Sequence, residues 1–155
     1  MGIELVLATE KDAELIWKMQ VEAFSGLLLK YQDMETNPAN ETLEKVLWRV
    51  QQADRYFYLI KSNEDYMGAI CIVDDKTKEN PKRISPLFVL PQYRNKGIAQ
   101  QAIAKAEEIH GSDNWELSTI LQEKGNCYLY EKMGYCKTGE TSRINDKLTL
   151  VFYKK

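Results

Sequence analysis

"LFVLPQYRNKGIAQQAI", Leu87 to Ile103, is the stretch on which the fold turns. Its first part is apolar and reads as the end of a strand. Its last part opens an apolar stripe at helical spacing, Ile98, Ala99, Ala102, Ile103, Ala106 and Ile109, which Gly111 closes. The polar turn between them runs from Gln92 to Gly97. The first turn of a helix exposes backbone N–H groups without intrahelical partners, and the macrodipole adds roughly half a positive charge there. Gly97 lets the backbone approach a ligand or take a positive φ, Arg94 and Lys96 add full charges, and Ala99 leaves the next turn uncrowded. Such a turn suits an anion, phosphate above all, and it equally suits a plain surface turn. It is neither the P-loop pattern nor the three-glycine dinucleotide fingerprint.

Upstream, "KRISPLFVL" from Lys82 reads as a strand interrupted by Pro86, which cannot donate a ladder hydrogen bond and therefore predicts a bulge or a failure of pairing. Before it, "YFYLIK" and "YMGAICIV" flank a polar "SNED" turn as a hairpin. Further back lies the strand "IELVLA". Thr9 and Asp12 then form a capping-box start to a helix whose apolar face runs from Ala13 to Tyr31. A polar stretch from Gln32 to Asn40 ends that helix, and Leu43, Val46, Leu47 and Val50 mark a second, with Glu41 and Glu44 in its first turn. Downstream come a strand "WELSTI", a short helix "NCYLYEKM" stopped by Gly134, and a strand pair "YCKTG" and "KLTLVFY". The order β-α-α-β-β-β-α-β-α-β-β, without repeats or linkers, predicts one α/β (α+β) domain over residues 1–155 on a mixed, mostly antiparallel sheet.

A chain of 155 residues with 44% hydrophobic and 28% charged residues can bury one good core. Its formal charge of −2 argues against a general nucleic-acid binder, which needs a clustered basic excess. No apolar run approaches the ~20 residues that span a bilayer, and the N-terminus lacks a signal-peptide pattern, so no membrane role and a cytoplasmic location are expected. Val6 stands where the myristoylation pattern after Met1-Gly2 requires Ser or Thr. Cys71, Cys127 and Cys136 form an odd set without a C-x-x-C pair and with one histidine, His110. That composition speaks against a disulfide framework and a zinc site. His110, just before Gly111, reads as a cation complementing a helix C-terminus.

The same central stretch resembles the acetyl-coenzyme A signature of the GNAT superfamily of N-acyltransferases, in which a strand L-x-V-x-P runs into [QR]-x-x-G-x-[GA]. Leu87, Val89 and Pro91, then Arg94, Gly97 and Ala99 supply every anchor. "NCYLYEKMGYCKTGE" resembles the family's second signature, and the order of elements matches the GNAT fold across nearly the whole chain. The resemblance implies that central strands splay from Pro86 to leave a slot for acetyl-coenzyme A, the acyl donor. The N–H groups of Asn95, Lys96, Gly97, Ile98 and Ala99 would wrap its pyrophosphate, with charge from Arg94 and Lys96. Leu87, Phe88 and Val89 would bond the pantetheine arm as an added strand does. The N–H of Val89 or Leu90 would polarise the thioester carbonyl.

The resemblance also implies that Tyr130 is the general acid for the leaving thiolate, since a phenol keeps its proton at neutral pH. Asn126, four residues earlier on the same helical face, would bind the pantetheine arm or cap the helix. No carboxylate lies between Lys82 and Leu90 to act as base, so water is the expected proton route. Glu22, Phe24, Tyr31, Asp33 and Glu35 are the candidates for an aromatic and acidic acceptor wall, or they are a solvated helix face and loop. The implied activity is N-acetylation of a primary amine on a small molecule or peptide. Alternatives are a coenzyme A-binding sensor of the same fold and a nucleotide-binding turn. Homodimers are common in the family and are expected as an option.

Overall fold

The computed structural model describes residues 2–155. Its seven strands are β1 (Glu4–Leu7), β2 (Arg55–Ser62), β3 (Asp65–Val73), β4 (Lys82–Val89), β5 (Trp115–Ile120), β6 (Cys136–Arg143) and β7 (Thr149–Lys154). The helices are α1 (Ala13–Tyr31), α2 (Leu43–Gln51), α3 (Ile98–His110) and α4 (Lys124–Lys132). The strands form one sheet in the order β1-β2-β3-β4-β5-β7-β6, with β4 and β5 parallel and the other neighbours antiparallel. The predicted mixed, mostly antiparallel α/β architecture is the one found. Among the described residues no helix is long and apolar enough to cross a membrane.

Alternation along the central strands sorts the core into two layers. Phe57, Leu59, Ala69 and Cys71 pack with Ala13, Ile16 and Met19 of α1 and Val46 of α2. Tyr58, Ile60, Ile70 and Ile72 pack on the opposite face with Ala102, Ile103 and Ala106 of α3 and Tyr130 of α4. Thus β3 offers small side chains to α1 and large ones to α3. A one-residue slip would exchange the two sets, overpacking one layer and emptying the other.

Pro86 sits at the bulge that the sequence predicts. Ile70 pairs with Leu87 and Ile72 with Ile84, so Cys71 faces both Ser85 and Pro86, whose peptide bond is cis. The extra residue changes the phase of the strand. Ile84, Leu87 and Val89 therefore all pack with the α3 layer, whereas Phe88 packs with the α1 layer. Beyond the bulge β4 leaves β5, since the parallel pairing covers only Lys82–Trp115 and Arg83–Glu116. This is the V-shaped slot expected between the splayed strands.

Two local readings are corrected. His110 is not an exposed helix-end cation: its side chain is 1% exposed, with Nδ1 2.8 Å from Asp74 Oδ2 and Nε2 2.8 Å from the Tyr58 hydroxyl. Glu41 precedes α2, which Thr42 caps, and its carboxylate takes Arg49 at 2.5 and 2.6 Å and Gln20 at 2.8 Å. The Thr9–Asp12 start stands, with the Thr9 N–H donating to the Asp12 carboxylate at 2.8 Å.

Candidate active site

A cleft of about 570 Å³ occupies the slot and runs from the start of α3 to the C-terminal end of α1. Along it lie Leu87, Phe88, Val89, Arg94, Asn95, Gly97, Ile98, Ala99, Asn126 and Tyr130, which the sequence singles out. Lys96 is the exception in that set. It lines a smaller neighbouring hollow of about 160 Å³ with Ser62 and Asn63.

The donor-side geometry follows from the turn. Asn95 and Gly97 both have left-handed backbone, with φ of 62° and 77°. Gly97 is the N-cap of α3, no side chain caps that helix, and no acidic residue stands in its first turn. Gln101 is the first residue to bond back into the helix, to Gly97 O at 3.1 Å. The N–H groups of Ile98, Ala99 and Gln100 thus lack helical partners where they meet the cleft. A Cβ on Gly97 would meet nothing within 4 Å, so its space belongs to the cleft rather than to packing.

Arg94 is largely committed to the fold. Its Nε donates to Val89 O at 3.0 Å and its NH2 group to Ala23 O at 2.6 Å, which ties the end of β4 to α1. The Leu90 N–H donates to Met67 O at 2.8 Å. Backbone groups alternate in direction along a strand, so Phe88, paired with Ala69, also turns its N–H and C=O toward β3. Leu90 and Phe88 are therefore removed as edge partners. Leu87 and the N–H of Val89 face the open side.

Tyr130 lies between Tyr135 and Tyr153, with ring centroids at 5.9 and 6.3 Å. Burial pushes its phenol well above the ordinary tyrosine range, and its hydroxyl makes no hydrogen bond among the described residues. Asn126 stands one turn before it on α4.

The other end is less as expected. Phe24 and Asp33 reach the cleft, whereas Glu22 and Glu35 are exposed and lie outside its lining. Tyr31 is buried behind Glu123, to which its hydroxyl donates at 2.5 Å. Glu123, at the start of α4, was missed by sequence reasoning although it lines the cleft. Its Oε2 also takes Lys30 at 2.7 Å, and hydrogen bonds from Lys30 and Tyr31 hold the carboxyl below its usual range. Those partners lie some ninety positions away, and no local pattern announces them. Among the described residues no group of three His, Cys, Asp or Glu could hold a metal ion.

Comparison with known proteins agrees with this fold. Residues 17–135 match the model of the acetyltransferase (GNAT) family. No curated protein matches the sequence. Among solved structures, the chain is similar to PaiA N-acetyltransferase from Thermoplasma acidophilum in complex with coenzyme A (18% identity, TM-score 0.73, 100% of both chains covered). It is also similar to spermidine N-acetyltransferase from Vibrio cholerae in complex with coenzyme A and spermine (13% identity, TM-score 0.77, covering 97% of this chain and 93% of that one). A third is an acetyltransferase from Thermus thermophilus (16% identity, TM-score 0.73, covering 99% and 96%).

Proposed function

We propose, from the fact that this chain belongs to the acetyltransferase (GNAT) family, that it transfers an acetyl group from acetyl-coenzyme A to a primary amine of a small molecule or peptide. One observation carries the reading: an uncapped helix start, with left-handed Asn95 and Gly97, opens into the slot where β4 parts from β5. Coenzyme A in the Thermoplasma relative, and coenzyme A with spermine in the Vibrio relative, support the donor and an amine acceptor.

The residues fit that donor. The N–H groups from Asn95 to Ala99 receive the pyrophosphate, with the α3 dipole and the remaining charge of Arg94 behind them. Leu87 and Val89 bond the amide-bearing arm along the open strand edge, and Asn126 bonds it from α4. When bound, acetyl-coenzyme A supplies an activated acetyl thioester and a thiolate leaving group. The Val89 N–H faces the open side of β4 and would donate to the thioester carbonyl oxygen as it gains charge.

Tyr130 stays protonated throughout the physiological range and donates its O–H toward the sulfur as the thiolate leaves. The proton lost by the amine goes to water in the cleft, because β4 carries no carboxylate and Glu123 is held as a weak base. That missing carboxylate also favours a second reading, a domain that binds coenzyme A without turnover.

Two measurements separate these readings. Coenzyme A at a hundred times its dissociation constant should stabilise the fold by about 2.7 kcal/mol, so the thermal midpoint rises, whereas ATP or NAD should leave it in place. No shift with coenzyme A sinks the proposal. Thiol release from acetyl-coenzyme A across an amine panel then tests transfer. Binding without release with any amine supports the second reading.

A further inference from the structure

The two ends of the cleft differ in charge. The donor end has the α3 start and Arg94. At the far end, where the α1 C-terminus meets Glu123 and Asn145 Nδ2 holds Tyr31 O at 2.9 Å, the ionisable cleft residues are Asp33 and Glu123. Arg83 also lines the cleft, at the closed base of the slot, where Glu116 lies 3.7 Å from it.

Asp33 is the unusual group. It is 6% exposed, and its carboxylate takes only the Asn37 Nδ2 at 3.2 Å and the Thr36 hydroxyl at 3.3 Å. No ion pair of the described residues includes it. A buried carboxylate without a counter-charge is costly, and a cation entering the cleft would offset that cost. Glu123 on the facing wall directs Lys30 and Tyr31 to Oε2, which leaves Oε1 without a partner among the described residues.

Carboxylates beside the reacting nitrogen would hinder the chemistry, because they favour its ammonium form and withhold the lone pair. They assist only by holding a positive charge elsewhere on the acceptor, where binding energy positions the neutral nitrogen. We propose that the acceptor carries a second group, positive at neutral pH, apart from the amine that is acetylated, and that Asp33 is the residue that holds it. This rests on the acetyl-transfer reading above. Lys30 already pairs with Glu123 at 2.7 Å, so Asp33 is the cleft carboxylate left to a cation, and the apolar wall of Phe24, Leu27, Leu148 and Leu150 accommodates the alkyl body between the two nitrogens.

The test uses thiol release with straight-chain α,ω-diamines of three to six carbons, each against the monoamine and the ω-amino acid of equal length. A charge-assisted hydrogen bond is worth roughly tenfold or more in affinity. At least one diamine should exceed its monoamine about tenfold in kcat/KM, and the amino acid should be poorest. Asp33→Asn should remove the diamine's advantage, lowering its kcat/KM about tenfold relative to that of the monoamine measured on the same variant. A merely structural Asp33 would instead lower all substrates together, along with the melting temperature.

The wild-type comparison needs no variant to fold. Calorimetric binding of diamine and monoamine to the coenzyme A complex should show the same preference without turnover. Monoamines equal to or better than diamines at every length overturn this inference alone. Coenzyme A binding with no thiol release from any amine overturns it together with the acetyl-transfer reading.

Discussion

At the residue scale, the site depends on single atoms that can be removed without disturbing their surroundings. Tyr130→Phe deletes one hydroxyl and leaves the ring between Tyr135 and Tyr153. A lost proton donor typically costs 10²–10⁴-fold in rate, so kcat should fall by about a hundredfold with coenzyme A affinity retained. Steady-state kinetics beside a binding isotherm check this, and an undiminished kcat removes Tyr130 from catalysis. Gly68 presents the opposite case, because here an atom cannot be added. A Cβ there would stand 2.1 Å from the Phe88 carbonyl oxygen and 3.0 Å from Val89 Cα, both backbone. Gly68→Ala must push β4 away, at about 1–3 kcal/mol by analogy with overpacked cores. The displaced residues form the edge of the slot, so urea midpoint and coenzyme A affinity should drop together. A variant with wild-type stability would refute the close approach.

At the element scale, the start of α3 joins a left-handed backbone to the proposed pyrophosphate site. Gly97 holds φ 77° as N-cap, and the space beyond its Cα is open cleft. Gly97→Asp should cost no more than about 1–2 kcal/mol of stability, since Asp and Asn tolerate left-handed backbone better than other residues with a β-carbon, and should abolish coenzyme A binding by placing a carboxylate in the proposed anion site. Gly97→Asn tolerates the same φ without the charge and should bind weakly rather than not at all. Equal coenzyme A affinity in the Asp variant would place the pyrophosphate elsewhere. This element was legible because its signals are local: an apolar stripe, a glycine at its head and a proline that breaks the preceding ladder. What depends on pairing across the sheet was not. Nothing in "PLFVL" tells that Phe88 turns its backbone to β3 while Val89 faces the slot, since that follows from register with β3. Glu123 was missed, and the sequence left open whether Glu22 and Glu35 form an acceptor wall or a solvated face, for a related reason. Which carboxylate reaches a cleft depends on how α1 packs across β3 and β4.

At the scale of the whole molecule, one buried relay joins three segments far apart in sequence. Tyr58 on β2, Asp74 after β3 and His110 at the end of α3 form a chain of hydrogen bonds, with Lys76 3.3 Å from Asp74 and over the Tyr56 ring. Burial pushes the Asp74 carboxyl up, but hydrogen bonds from His110 and Lys76 outweigh it and hold it below its usual range. An ionised Asp74 accepts a hydrogen bond from Nδ1–H, and Nε2 then accepts from the Tyr58 O–H, so the neutral ring is fully bonded. Burial, aided by Lys76 and Lys82, outweighs the pull of Asp74 and sets the His110 pKa below its ordinary value. The unfolded chain therefore takes up this proton first as pH falls. Stability is intact above the unfolded histidine value of ~6.5 and declines below it, by at most about 1.4 kcal/mol per pH unit until the folded value is passed. Asp74 acts in a separate window, since its contribution is lost only as pH falls through the carboxylate range. His110 is the one histidine in the chain, so no other imidazole contributes to the first window. Urea unfolding at pH 7, 6 and 5 should show the decline beginning near 6.5, and His110→Gln, less stable at pH 7 through its broken relay, should flatten the profile between 7 and 5. A wild-type profile as flat as the variant's would mean that the ring is as easily protonated folded as unfolded, and the relay would then contribute no pH dependence.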